Sequence, residues 1–183
     1  MADRETAPGA LGLIQAFVNT AELDPGVEAL SDPEALSAWL TARALMAPGQ
    51  RAGEVDLKHA VAVREAIRGV IGANSGGSVY PIEVATLNGA VSASRLLPRF
   101  GPGGKARLEA HAEGVEGALG RIVAALFTAM NEVEWARLKL CDSSTCRWAF
   151  YDQSRNHSSR WCRMSSCGNR QKAKRFRERA KAS

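Results

Sequence analysis

Residues 141–146 read CDSSTC, residues 147–161 read RWAFYDQSRNHSSRW and residues 162–167 read CRMSSC. All four cysteines of the chain lie here, as two Cys-x4-Cys pairs separated by fifteen residues. Two such pairs can bring four thiolates onto one tetrahedral ion with metal–sulfur bonds of about 2.3 Å, so Cys141, Cys146, Cys162 and Cys167 are candidate zinc ligands. Four sulfurs leave no position for water, which predicts a structural ion and not a hydrolytic one. An iron–sulfur cluster uses the same donor set, but the basic, helix-linked context favours zinc.

The fifteen residues between the pairs carry Trp148, Phe150 and Tyr151, then the polar break Ser154-Arg155-Asn156-His157, then Arg160 and Trp161. This pattern predicts a short β-hairpin. From Cys167-Gly168 a helix should run to about Ala180, with Asn169 as its cap. Knuckle, hairpin and helix in that order predict a small treble-clef-like module. A segment of 47 residues (137–183) so poor in apolar side chains buries little surface unaided. Metal binding of about 10–16 kcal/mol would offset the entropy of ordering it. The aromatic residues are expected to pack around the metal, though single-strand binders use such rings to stack on bases.

Charge divides at the same place. Residues 1–136 hold 11 Lys+Arg against 16 Asp+Glu, a balance of −5, whereas residues 137–183 hold 13 against 3, a balance of +10. Arg170, Lys172, Lys174, Arg175, Arg177, Arg179 and Lys181 crowd the last helix with only Glu178 opposing them. Like charges at i and i+4 destabilise a helix unless something neutralises them, and phosphates would do so with release of counterions. Arg170, Lys174, Arg177 and Lys181 are spaced to share a face. Arg147, Arg155, Arg160 and Arg163 add to the same field, some of them offsetting the thiolates. Candidate nucleic-acid contacts are therefore Arg147, Arg155, Arg160, Arg163, Arg170, Lys172, Lys174, Arg175, Arg177 and Lys181.

The remainder predicts a mostly helical unit over residues 1–136, making the fold α+β. Leu13, Ile14, Phe17 and Val18 share one face of a helix over Leu11–Ala21. Ser31-Asp32-Pro33-Glu34 starts a second helix through about Met46, with a Ser-x-x-Glu capping box and Leu36, Trp39 and Leu40 facing inward. Over Glu54–Ala73 apolar residues recur at helical spacing with charges opposite. A shorter helix spans about Ile82–Ser92. Arg95–Phe100 and Lys105–Ala110 flank Gly101-Pro102-Gly103-Gly104 as a hairpin, and a long helix covers Glu113–Arg137. No run of apolar residues suits a membrane span. The start MADRETAPGA lacks a secretory apolar core, so a cytoplasmic protein is expected.

Taken together and in order, Cys141 to Cys146, Phe150-Tyr151-Asp152-Gln153-Ser154-Arg155-Asn156, Arg160-Trp161-Cys162 and Cys167-Gly168-Asn169-Arg170 resemble the CGNR zinc-finger family of bacterial stress-induced transcriptional regulators. The resemblance implies zinc on the four cysteines and covers residues 138–178. Phe17-Val18-Asn19-Thr20 and Asp32–Leu40 resemble, more loosely, the helical domain that precedes this finger in the family. The expected protein is a zinc-dependent DNA-binding transcriptional regulator. Its residues 1–136 would serve effector sensing, homodimerisation or partner docking, and residues 137–183 would form the finger. An RNA-binding or ribosome-associated module is the alternative. No nucleophile with a base, paired carboxylates or phosphate loop supports an enzyme. Asp152 reads as an ion-pair partner or turn former, His157 as a solvent-facing turn residue, and His59 and His111 as isolated.

Overall fold

Apolar spacing becomes buried faces from the first element onward. The computed structural model describes residues 6–182, the side chains of Arg175, Lys181 and Ala182 excepted. Helix α1 (Gly9–Val18) buries Leu11, Ile14, Phe17 and Val18. The chain reverses through a two-residue strand pair, β1 (Ala21–Glu22) with β2 (Val27–Glu28), and enters α2 (Pro33–Ala42), which buries Leu36 and Leu40. The cap of α2 is Asp32 and not Ser31: Pro33 takes the first helical position, and the Asp32 carboxylate accepts the Ala35 N–H at 2.8 Å. Ser31 supports that carboxylate with its hydroxyl at 2.8 Å.

Helix α3 (Glu54–Ala73) and α4 (Pro81–Ala93) follow. The hairpin β3 (Leu96–Phe100) with β4 (Ala106–Ala110) is in register from Leu96↔Ala110 to Phe100↔Ala106. Helix α5 (Gly114–Met130) packs against α1, α3, α4 and β4. Its glycines, which cost helix propensity, serve close approach. A Cβ on Gly120 would lie 2.3 Å from Ser94 Cβ, and one on Gly117 would lie 2.1 Å from the Ala112 carbonyl oxygen.

α5 stops seven residues short of the expected end. Asn131 folds its amide back onto the Phe127 carbonyl at 2.7 Å, and a 3-10 turn over Val133–Arg137 carries the chain on. Strand β5 (Leu138–Leu140) then pairs antiparallel with β6 (Ala149–Tyr151), Lys139 opposite Phe150. The finger's hairpin is thus built across the first cysteine pair and not within the fifteen residues between the pairs. Residues after Tyr151 turn round a buried carboxylate instead of forming a second strand, as described below. A wide turn over Met164–Gly168 leads into α6 (Asn169–Ala182).

The core is continuous across the charge divide. Leu138, Leu140 and Ala149 belong to the same buried cluster as Phe17, Leu40, Ile67, Ile71, Leu119 and Ile122, with Tyr151 packed at its edge. Among the described residues no helix is long and apolar enough to cross a membrane.

Candidate metal centre and nucleic-acid surface

Cys141 directly follows β5, Cys146 closes the knuckle, and Cys162 and Cys167 arrive on the approach to α6. The knuckle is closed by backbone bonds: Cys141 N–H donates to Trp148 O at 2.9 Å and Cys146 N–H to Ser143 O at 2.9 Å. Arg147, with φ +46°, makes the sharp corner that returns the chain to β6. A bond from Asp142 N–H to Arg160 O at 2.9 Å draws the second cysteine pair against the first.

The four sulfurs lie within 4.8 Å of one another, and among the described residues this is the one group able to hold a metal ion. Tetrahedral sites with bonds of about 2.3 Å place sulfurs about 3.8 Å apart. Cys146–Cys162 and Cys162–Cys167 are each 3.7 Å apart, and none of the four is disulfide-bonded. Three of the four are buried, and Trp148 and Trp161 pack over the cluster.

The thiols strongly perturb one another's acidity. Hydrogen bonds from the Cys146 and Cys162 thiols draw the Cys141 thiol down to about 3. Hydrogen bonds with Cys141, and next with Cys146, push the Cys162 thiol far above the ordinary thiol range. One thiolate forms readily and the next is resisted, so four together require a cation among them. Residues and geometry fit zinc.

Asp152 organises the loop before the second pair. It is 1% exposed and accepts from Lys139 Nζ at 2.8 Å, Ser154 N–H at 3.0 Å and Ser159 N–H at 3.0 Å. Burial alone would raise its pKa, but Lys139 and the serine donors outweigh that and hold the carboxyl well below the usual range. Lys139 Nζ also donates to the carbonyl of His157, an exposed residue at φ +47°.

The helical unit grips the finger through polar side chains. Asn19 pairs with both backbone groups of Ala149: its amide donates to the carbonyl at 2.8 Å and its oxygen accepts the N–H at 2.8 Å. Gln15 donates to the same carbonyl at 3.3 Å. Arg68, 3% exposed, reaches the carbonyls of Val18 at 2.7 Å and Arg147 at 3.1 Å. Asn74 donates to Trp135 O and Leu138 O, each at 2.9 Å. Arg64 and Arg68, expected on a charged outer face, are buried; Glu65 bonds both at 2.8 and 2.9 Å, and Glu28 reaches Arg64 at 2.7 Å. Sequence reasoning missed this seam. Its signal was present: Arg64 sits three before Ile67 and Arg68 three before Ile71, in the buried row.

The ten candidate nucleic-acid residues divide. Lys172, Lys174 and Arg177 are exposed on α6, and Arg155 is exposed in the loop. Arg147 is exposed at its corner and Arg163 half-buried. Arg160 ion-pairs with Asp142 and lies 5.5 Å from the Trp161 ring. Arg170, though exposed, turns back onto the body: it ion-pairs with Asp24 between β1 and β2 and donates to Cys167 Sγ at 3.5 Å. The hydrogen bond to Asp24 raises its pKa. The side chains of Arg175 and Lys181 lie outside the described residues. Asn169 does not cap α6; its amide donates backward to Ser165 O at 3.3 Å, and the wide turn supplies the helix start. His59 is not isolated, since its Nδ1 lies 2.9 Å from Glu116 Oε1, although no nucleophile joins them.

A helical protein whose last strand pair and helix frame a four-cysteine zinc finger is the class these features define. A family model for ABATE, described as a putative stress-induced transcription regulator, matches residues 11–131, and one for the CGNR zinc finger matches residues 137–180. The chain belongs to the ABATE family and carries the CGNR zinc finger. Comparison with curated proteins gives no match.

Proposed function

We propose that this protein is a zinc-dependent DNA-binding transcriptional regulator in which Cys141, Cys146, Cys162 and Cys167 hold one structural zinc and α6 contacts DNA. The observation that carries the reading is the concentration of positive charge: +10 over residues 137–183, with seven Lys and Arg against one Glu on α6, whose described side chains beyond the first turn are exposed. A cationic helix held at one end by a metal-stabilised turn suits a polyanion. Membership of a transcription-regulator family supports the same reading.

Zinc acts here by supplying charge balance and a fixed vertex, with no open position for chemistry. Residues 1–136 serve as the body that fixes the direction of α6, through Asn19 on Ala149, Arg68 on Arg147 and Asp24 on Arg170.

The test is recovery of bound fragments when purified zinc-loaded protein is mixed with sheared genomic DNA and, separately, with structured RNA from the same cells at fixed salt. Recurrent DNA sites that RNA fails to displace are expected. Preferential retention of RNA would reject the reading.

A further inference from the structure

Helix α6 carries an apolar side chain that is left largely exposed. Phe176 is 70% exposed in the middle of a helix whose neighbours are almost all charged. At about 100° per residue, Ala173, Phe176 and Ala180 fall within an arc of about 60°, forming a strip along the helix. Basic residues border it on both sides. Arg170, Lys174 and Arg177 run along one edge, and Lys172 and Arg179 along the other. The first edge is tethered to the body at Arg170 through Asp24 and Cys167, while Lys174 and Arg177 stay exposed.

We propose that this strip is the base-facing surface of α6, entering the major groove of duplex DNA with its two basic rows on the phosphates of the two strands. The proposal rests on the DNA-binding reading above and names the face that reading left open. Of the residues spaced to share a face with Lys174 and Arg177, Arg170 is already committed to Asp24 and the metal cluster, so that row forms an edge of the strip and not its base-facing centre. Charge complementarity selects the partner: an apolar strip between two cationic rows matches base edges between two anionic backbones. Dimensions agree, since a helix with side chains is about 10–12 Å across and the groove about 12 Å wide. The deep, narrow major groove of A-form RNA does not admit a helix in this way. Phe176 would lose its exposed area against base edges, such as a thymine methyl.

The experiment measures binding of full-length zinc-loaded protein to a fluorescein-labelled duplex recovered from a random-sequence library on the wild-type chain, over a salt series. Phe176→Ala is expected to weaken binding roughly tenfold at every salt concentration, with the slope of log K against log salt unchanged, because no phosphate contact is lost. Lys172→Ala with Arg179→Ala is expected to reduce that slope by about 2. All of these side chains are exposed, so zinc content and circular dichroism should match wild type. A Phe176→Ala affinity within twofold of wild type overturns the proposal while DNA binding stands. Conversion of a wild-type dimer to monomer in sedimentation, with affinity per protomer unchanged, also overturns it by assigning the strip to a second copy. A wild-type protein that retains no duplex removes both this proposal and the function beneath it.

Discussion

Asp152 shows how one residue decides a loop. Its carboxylate ties Lys139 of β5 to two serine N–H groups, so the chain between Tyr151 and Arg160 turns about one buried charge. Removing the charge leaves Lys139, 9% exposed, without its partner, and breaking a buried pair costs about 3–5 kcal/mol. Asp152→Asn should show that loss in chemical denaturation at pH 7. Because the folded carboxyl titrates below its unfolded value of about 3.9, the stabilisation is fully present above that value and fades as pH falls through the lowered one. The gap between wild type and Asp152→Asn should therefore be constant from neutral to mildly acidic pH and close below pH 4. A gap that widens in acid would contradict this.

Arg170 makes the same point for the metal. Its guanidinium lies 3.5 Å from Cys167 Sγ, and outer-shell donors of this kind are worth about 10–100-fold in metal affinity. Arg170→Ala should lower zinc affinity by at least about tenfold in competition with a chromophoric chelator. Unchanged affinity would reduce Arg170 to a surface charge. The ion-pair or turn role of Asp152 was legible from one carboxylate among arginines, whereas the pairing of Arg170 was not, because its partner Asp24 is 146 residues away.

Among elements, the helices were the legible part. Their apolar residues recur at a period that burial enforces, and α3 and the β3–β4 hairpin fall where periodicity and glycine-rich turns place them. Elements set by tertiary contacts were less legible. The β5–β6 pair needs Leu138 and Leu140 against the main core, and Asn19 against Ala149, before the strand partner can be known. The glycines of α5 read as helix weakeners until the neighbouring Ser94 and Ala110 are placed. Gly120→Ala should accordingly destabilise the protein by about 1–3 kcal/mol despite better helix propensity, measured by thermal or urea unfolding. A stabilised variant would mean that this contact yields at no cost.

At the scale of the whole molecule, the charge boundary near residue 137 is not a boundary of packing, because Leu138, Leu140 and Ala149 complete the core that α1, α3 and α5 begin. Zinc removal should therefore weaken more than the finger. Calorimetry of the zinc-loaded chain is expected to give one unfolding transition, and chelation should lower the midpoint of that whole transition. Two transitions, with the first alone sensitive to chelation, would show that the halves fold independently.

If zinc holds the cationic helix in place to bind DNA, as proposed, binding will be reversible and metal-dependent. Anisotropy titration of a labelled duplex should give a salt slope of about −4, in keeping with four to five phosphate contacts. Binding should be lost on chelation and restored by one equivalent of zinc. A metal-free protein that binds the same duplex with the same affinity and salt slope would contradict the account.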